Sequence, residues 1–299
     1  MTRFKVDERF MTGLAPILQQ MPPLVTNQLD LQVGQPQRKF RFALFQSFSR
    51  LDQQELTVDQ VNAAQLAELL ALAAAINPPS FQPAKLTPGA MAVQKGNSYV
   101  ANYLADQFVN HLAKVGTPPQ MIEELTVDGG DFILAQLQRL RFNFNRRFKV
   151  ADYLADTKAR AGMLASITAR EATALTKNDG TVIQLSGQLG QNLGTIEAIK
   201  DELAQVEKSS DHFTTMVTAG QYPLPLLFAI QDHPTWFNHF FGQAHRPPQE
   251  QFNDAYQMTL DHLADARGIV TDLIGQARLD VKVLPSEFQA PLNQLIKEI

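Results

Sequence analysis

Four short segments carry residue types that can do chemistry. Arg38-Lys39-Phe40-Arg41 sets three cations within four residues, an arrangement that can hold a diphosphate through charge-assisted hydrogen bonds. Its plainer reading is a solvated basic helix start. Glu197, Asp201 and Gln205 recur every fourth residue, with Glu202 beside Asp201. Carboxylates in this pattern can share Mg²⁺ ions that bridge phosphate oxygens, although Gln205 is neutral and Lys200 adjoins the pair. Read bare, these residues form an ordinary charged outer face. The run Arg139-Leu140-Arg141-Phe142-Asn143-Phe144-Asn145-Arg146-Arg147-Phe148-Lys149 interleaves cations with aromatics, a composition able to stack on single-stranded nucleic acid. It equally suits a connection between helices with buried phenylalanines. His233, His239 and His245 recur every six residues, which does not put two ligands on one helical face. Nucleophile-elbow, Walker and dinucleotide-binding glycine patterns are missing.

These segments need helices to position them. Thr57-Val58-Asp59-Gln60 has the capping-box pattern, and strong helix formers follow, predicting a helix over 58–76. It stops at Asn77-Pro78-Pro79, because proline disfavours the α conformation of the preceding residue and offers no N–H. Val182, Leu185, Leu189, Leu193, Ile196, Ile199, Leu203 and Val206 form an apolar stripe that predicts a second long helix over 182–208. Similar patterns predict helices over 98–115, 120–140, 151–175, 224–231 and 253–277. Period-two alternation over a strand length is lacking, so the fold class is all-α. With no linker, composition shift or strict repeat, residues 1–299 are expected to form one domain.

Composition narrows the functions. Lys plus Arg number 26 against 30 Asp plus Glu, and a net charge of −4 gives no general reason to expect nucleic acid as a partner. The absence of cysteine excludes disulfides, thiolate metal sites and a Cys nucleophile, and fits a cytoplasmic location. The longest fully apolar run, 69–76, is too short to span a bilayer, so the protein is not expected to be transmembrane.

Taken in order, the segments resemble the trans-isoprenyl diphosphate synthases, which make farnesyl, geranylgeranyl and longer polyprenyl diphosphates. Pro36 to Leu44 is similar to the family's GGKRLRPAL segment, with Arg38 and Arg41 at the positions that bind isopentenyl diphosphate and Lys39 between them. Glu68 to Ile76 follows the ELIHTASLI helix. Where the family then reads HDDxxD, this chain has Asn77-Pro78-Pro79-Ser80-Phe81-Gln82, so Asn77, Pro78, Pro79 and Gln82 mark a lost first motif. Arg160-Ala161 stands for a Lys-Thr pair that helps hold the allylic diphosphate. The segment 190–205 resembles GRNLGLAFQIIDDLLD, making Asp201, Glu202 and Gln205 a degraded second motif, and 220–227 resembles GKPTLPLL without its lysine.

The resemblance implies a helical bundle of the isoprenoid synthase fold. It implies diphosphate-binding roles for Arg38, Lys39, Arg41 and Arg160, and at most a residual Mg²⁺ site at Asp201 and Glu202. Ala73 and Ala74 stand where bulky residues block the growing chain in the family, so they would leave an apolar tunnel open. In the family, Mg²⁺ held by both aspartate motifs draws diphosphate from the allylic substrate. Prolines cannot replace those carboxylates. The expectation is therefore a non-catalytic or weakly active prenyl synthase paralogue, paired in a homodimer or in a heterodimer with an intact synthase, with an isoprenoid diphosphate as possible ligand. The alternatives are an atypical Mg²⁺-dependent prenyltransferase acting on another acceptor, and an apolar-ligand or RNA-binding scaffold.

Overall fold

The computed structural model describes residues 8–21, 35–49, 56–78, 87–176, 179–243 and 245–299, and among these it contains helices and no strands. Short helices α1 (Glu8–Thr12) and α2 (Ala15–Leu18) precede α3 (Gln35–Ser49). Phe40, Phe42, Leu44, Phe45 and Phe48 of α3 are all buried, so apolar groups cover nearly its whole circumference. A helix apolar all round must be enclosed, and α3 lies against the later helices α8 and α15.

The helix expected over 58–76 is two helices, α4 (Val58–Ala64) and α5 (Leu66–Ile76). Its start is as expected, with both halves of the Thr57–Gln60 capping box formed. The break falls at Gln65, whose side-chain amide turns away to donate to the Arg9 and Phe10 carbonyls. At the far end Asn77 leaves the helix with φ −125° and ψ 67°.

Helix α6 (Pro88–Leu112) begins ten residues earlier than the 98–115 pattern, because the Thr87 hydroxyl caps Ala90 N–H and Pro88 fits the first helical position. It leads into α7 (Pro119–Arg139). Helix α8 covers Val150–Thr157, passes through a π-helical turn at Lys158–Gly162 and continues as Met163–Leu175. Helix α9 (Gly180–Lys208) starts at Asp179, whose carboxylate accepts the Thr181 and Val182 N–H groups.

Helices α8 and α9 are the central pair, and their approach rests on missing side chains. A Cβ on Gly194 would sit 2.5 Å from Ala165 Cβ and 2.8 Å from the Ala161 carbonyl; one on Gly190 would sit 2.7 Å from the Ala165 carbonyl. Backbones this close leave no room for even a methyl group.

The remaining helices are α10 (Ser210–Thr218), α11 (Leu224–Asp232), α12 (Pro234–Gly242), α13 (Gln249–Asp261), α14 (Leu263–Val283) and α15 (Ser286–Glu298). The 253–277 pattern spans α13 and α14, which separate at His262, where φ is −97° and ψ is 9°. There the imidazole reaches Asp265 at 2.7 Å and Asp232 at 3.5 Å. No helix is long and apolar enough to cross a membrane among the described residues.

Candidate functional site

The start of α3, the first turn of α5, the first half of α8 and the last third of α9 supply the charged side chains that sequence and structure single out. Arg38 and Arg41 are one turn apart on α3 and are 9% and 8% exposed, so the basic start of this helix is not solvated. Although Pro36 is exposed and Gln37 half-buried, Arg38 and Arg41 lie on the covered face of α3. Arg41 donates Nε–H and an Nη2–H to the two oxygens of Glu68, at 2.6 and 2.9 Å. Arg38 donates to the Phe10 carbonyl at 2.9 Å, stacks 5.1 Å over the Phe10 ring, and has Nε 3.7 Å from Glu68. Burial lowers the Arg38 pKa, and Glu68 opposes that shift. One carboxylate therefore serves both guanidiniums, while Lys39 faces partly outward between them.

Asp201 and Glu202 are neighbours in sequence but not in their hydrogen bonding. The Asp201 carboxylate accepts the side-chain amide of Gln37 from α3, and that of Gln205 at 3.1 Å. Glu202 accepts the Tyr153 hydroxyl at 2.8 Å and the Leu224 N–H at 2.9 Å, where α11 begins. Burial raises the pKa of Glu202, while the Leu224 N–H and Tyr153 hydroxyl resist the rise. Tyr153 is itself held well above the ordinary tyrosine value by burial and by the adjacent carboxylate. Glu197 departs from the outer-face reading: it is 2% exposed, because α9 is the central helix and is covered on more than its apolar stripe.

Arg160, in the π-helical turn, closes onto Asp156 with Nε 3.1 Å from both oxygens and Nη2 2.6 Å from Oδ2. Arg139 reaches the same Asp156 from α7 at 3.2 Å and lies 5.6 Å over the Phe148 ring. Burial lowers the Arg139 pKa, the Arg160 charge adds to that, and Asp156 and Glu202 oppose it. The cluster holds two arginines and two carboxylates, so its formal charge is balanced within the chain.

No metal-sized group of three or more acidic, His or Cys side chains exists among the described residues. Asp201 and Glu202 also fit Mg²⁺ poorly on their own chemistry. One is held by two amides, the other by a hydroxyl and an N–H, and they turn toward different helices. A hard octahedral cation needs several converging oxygens. At the end of α5, Asn77 and Pro78 are exposed; Pro79 and Gln82 lie outside the described residues. Ala73 is buried, and half-buried Ala74 packs on the core. Neither lines the cavity of about 780 Å³ between the starts of α7 and α9, where Met121, Glu124, Ala174, Thr181 and Ile183 form walls. Thr181 is roughly 30 Å along α9 from Asp201.

Sequence reasoning singled out Arg38, Arg41, Arg160, Asp201 and Glu202 but not the partners that define their state: Glu68, Asp156, Tyr153 and Gln37. Asp156 carries a readable signal, since it precedes Arg160 by one helical turn. Glu68 and Gln37 carry none, being paired across 27 and 164 residues.

No protein-family model matches the chain, and no curated sequence does. Solved structures do. A geranylgeranyl pyrophosphate synthase from Lactobacillus brevis ATCC 367 superposes with a TM-score of 0.77 at 18% identity, covering 97% of this chain and 95% of its own. Heptaprenyl diphosphate synthase from Staphylococcus aureus gives 0.75 at 17%, covering 98% of each chain. A polyprenyl synthase from Caulobacter crescentus CB15, solved with calcium and isoprenyl diphosphate, gives 0.73 at 15%, covering 97% of this chain and 94% of that one. The chain is thus built on the all-α isoprenoid synthase fold of these prenyl diphosphate synthases.

Proposed function

We propose that residues 1–299 form one isoprenoid-synthase-like unit that acts in isoprenoid biosynthesis without elongating chains by itself, as the partner subunit of an intact prenyl diphosphate synthase in the cytoplasm. The observation that carries this reading is the internal neutralisation of its cations: Arg41 is bound to Glu68, and Arg160 to Asp156. A diphosphate would have to displace Glu68 or Asp156 from its arginine and leave that buried carboxylate unpaired, a change that costs several kcal/mol. Pro78 at the end of α5 supports the same reading, since charge neutralisation of leaving diphosphate is the largest aid a synthase gives its reaction. A lone chain that still binds an isoprenoid diphosphate would do so through Lys39 and a rearranged Arg160.

We place the proposed pairing surface on α6 and α7, where Tyr99, Val109, Val127 and Leu134 are exposed apolar groups 41–65% accessible. The test is to assay the purified protein with Mg²⁺, isopentenyl diphosphate and allylic diphosphates, alone and with the intact synthase of the same cells, and to weigh the native assembly by mass spectrometry. Expected are no elongation by the lone chain and a stable mixed assembly. Rapid elongation by the chain alone would overturn the reading. Mg²⁺-dependent binding of an allylic diphosphate that Asp201→Ala abolishes would favour a transferase acting on another acceptor instead.

A further inference from the structure

The basic-aromatic run after α7 contributes only Arg139 to the balanced cluster, and the rest of it is differently built. Arg141, Arg146, Arg147 and Lys149 are exposed, and Phe144 between them is 52% exposed. The arginines of the interior each meet a carboxylate. In this loop, by contrast, the side chains of Arg141, Arg147 and Lys149 meet none among the described residues, and Arg146 donates only to the Phe241 carbonyl. The one acidic neighbour in sequence, Asp152, accepts the backbone N–H of Lys149. A chain of net charge −4 thus concentrates four cations here.

The loop is fixed in shape. Phe142 and Phe148 pack against each other, with ring centroids 4.5 Å apart and planes tilted by 31°, and tie it to the core, and Asn145 and Phe148 N–H groups close turns within it. Phe144 has φ 59°, the only positive value at a non-glycine residue among those described. An aromatic residue is rare in that region and is strained there. The conformation is over-determined from outside: Phe144 N–H donates to the Gly220 carbonyl at 2.9 Å, and Gly220, itself at φ 73°, lies so close that a Cβ on it would be 2.5 Å from the Phe144 ring. Backbone strain is thus sustained at the very residue that presents an apolar ring among cations.

From this geometry we infer that the loop from Arg141 to Lys149 docks the protein on an anionic lipid bilayer, with Phe144 entering the headgroup layer and Arg141, Arg146, Arg147 and Lys149 meeting lipid phosphates and carboxylates. An aromatic ring is at home at the interface, and each cation near an anionic leaflet adds attraction that salt screens. Single-stranded nucleic acid fits less well. Stacking of successive bases needs several free ring faces, and Phe142 and Phe148 spend theirs on one another. The inference does not depend on whether the chain elongates isoprenoids.

The test is co-sedimentation of the whole protein with vesicles rich in phosphatidylserine and with pure phosphatidylcholine vesicles. Binding to the anionic vesicles is expected, weakened by added salt, with little binding to the neutral ones. The variant R141E/R147E/K149E alters side chains without carboxylate partners and is expected to lose roughly tenfold or more in anionic-vesicle binding. Phe144→Asn supplies a residue that tolerates positive φ. It is expected to unfold no more readily than the native protein yet to bind vesicles several-fold less tightly. Undiminished binding by the charge-reversed variant, equal binding to both vesicle types, or tighter binding of a mixed-sequence single-stranded RNA through the same residues would each overturn the proposal.

Discussion

Arg41 and Glu68 form a two-pronged ion pair, with hydrogen bonds of 2.6 and 2.9 Å between α3 and α5, and the second guanidinium of Arg38 leans on the same carboxylate. All three groups are buried. Removing Glu68 leaves two buried positive charges without compensation, so Glu68→Ala is expected to destabilise the protein by about 3–5 kcal/mol in denaturant unfolding. Replacing Arg41 together with Glu68, as in R41M/E68L, removes one of the two buried positive charges and leaves Arg38 with the Phe10 carbonyl as its partner. The double variant should therefore be clearly less damaging than Glu68→Ala. Equal losses would show that the pair contributes only through its packing.

Glu171 provides a pH signature. Its carboxyl is fully buried, with Oε1 accepting the Thr117 hydroxyl at 2.7 Å and Oε2 lacking a partner. Burial pushes its pKa up to about 7 from an ordinary 4.5, against the opposing hydrogen bond. Between those values the folded protein keeps a proton that the unfolded chain has released. Its contribution to stability is therefore present below pH ~4.5 and lost as pH rises to about 7, on the order of 3 kcal/mol in all. Glu171→Gln should flatten that part of the stability–pH profile and raise stability at pH 8. A profile unchanged by the substitution would place the titration elsewhere.

The glycines of the long helices should respond in opposite directions. Gly194→Ala drives a methyl group into Ala165 and the Ala161 carbonyl, and is expected to cost roughly 1–3 kcal/mol. Gly268→Ala, in α14, meets nothing within 4 Å and should stabilise by about 0.5–1 kcal/mol through helix propensity alone. Thermal melts of the two variants decide the matter.

Magnesium should leave the fold indifferent. Because Asp201 and Glu202 are hydrogen-bonded to different elements, the melting temperature in millimolar Mg²⁺ and in EDTA should agree within about 1 °C. A metal bound only by the folded state would raise it with concentration. A rise of several degrees that Asp201→Ala removes would show a metal site the arrangement does not suggest.

The fold was largely legible because it rests on local signals. The Thr57 cap, the Pro78 stop and the α9 stripe each sit within a few residues of what they decide. A boundary satisfied by tertiary partners was not legible: at the break between α4 and α5 the Gln65 side chain donates to the carbonyls of Arg9 and Phe10. The same division runs through the site. Charge types could be read from the chain, but whether a cation faces a ligand or a buried carboxylate depends on residues far away in sequence. Arg41 and Arg141 are indistinguishable by type, yet one is enclosed with Glu68 and the other lies in solvent.

The holding of Asp201 by Gln37 bears on what a converging diphosphate or metal site on this framework would require. Carboxylates placed at 78 and 79 would alter one helix end only. Gln37 would still engage Asp201, Tyr153 and the Leu224 N–H would still engage Glu202, and Asp156 would still engage Arg160. Those ties come from α3, α8 and the start of α11, so replacing any one of them leaves the others in place. Turning Asp201, Glu202 and Arg160 toward one shared ligand would therefore take coordinated change on α3, α8 and α9.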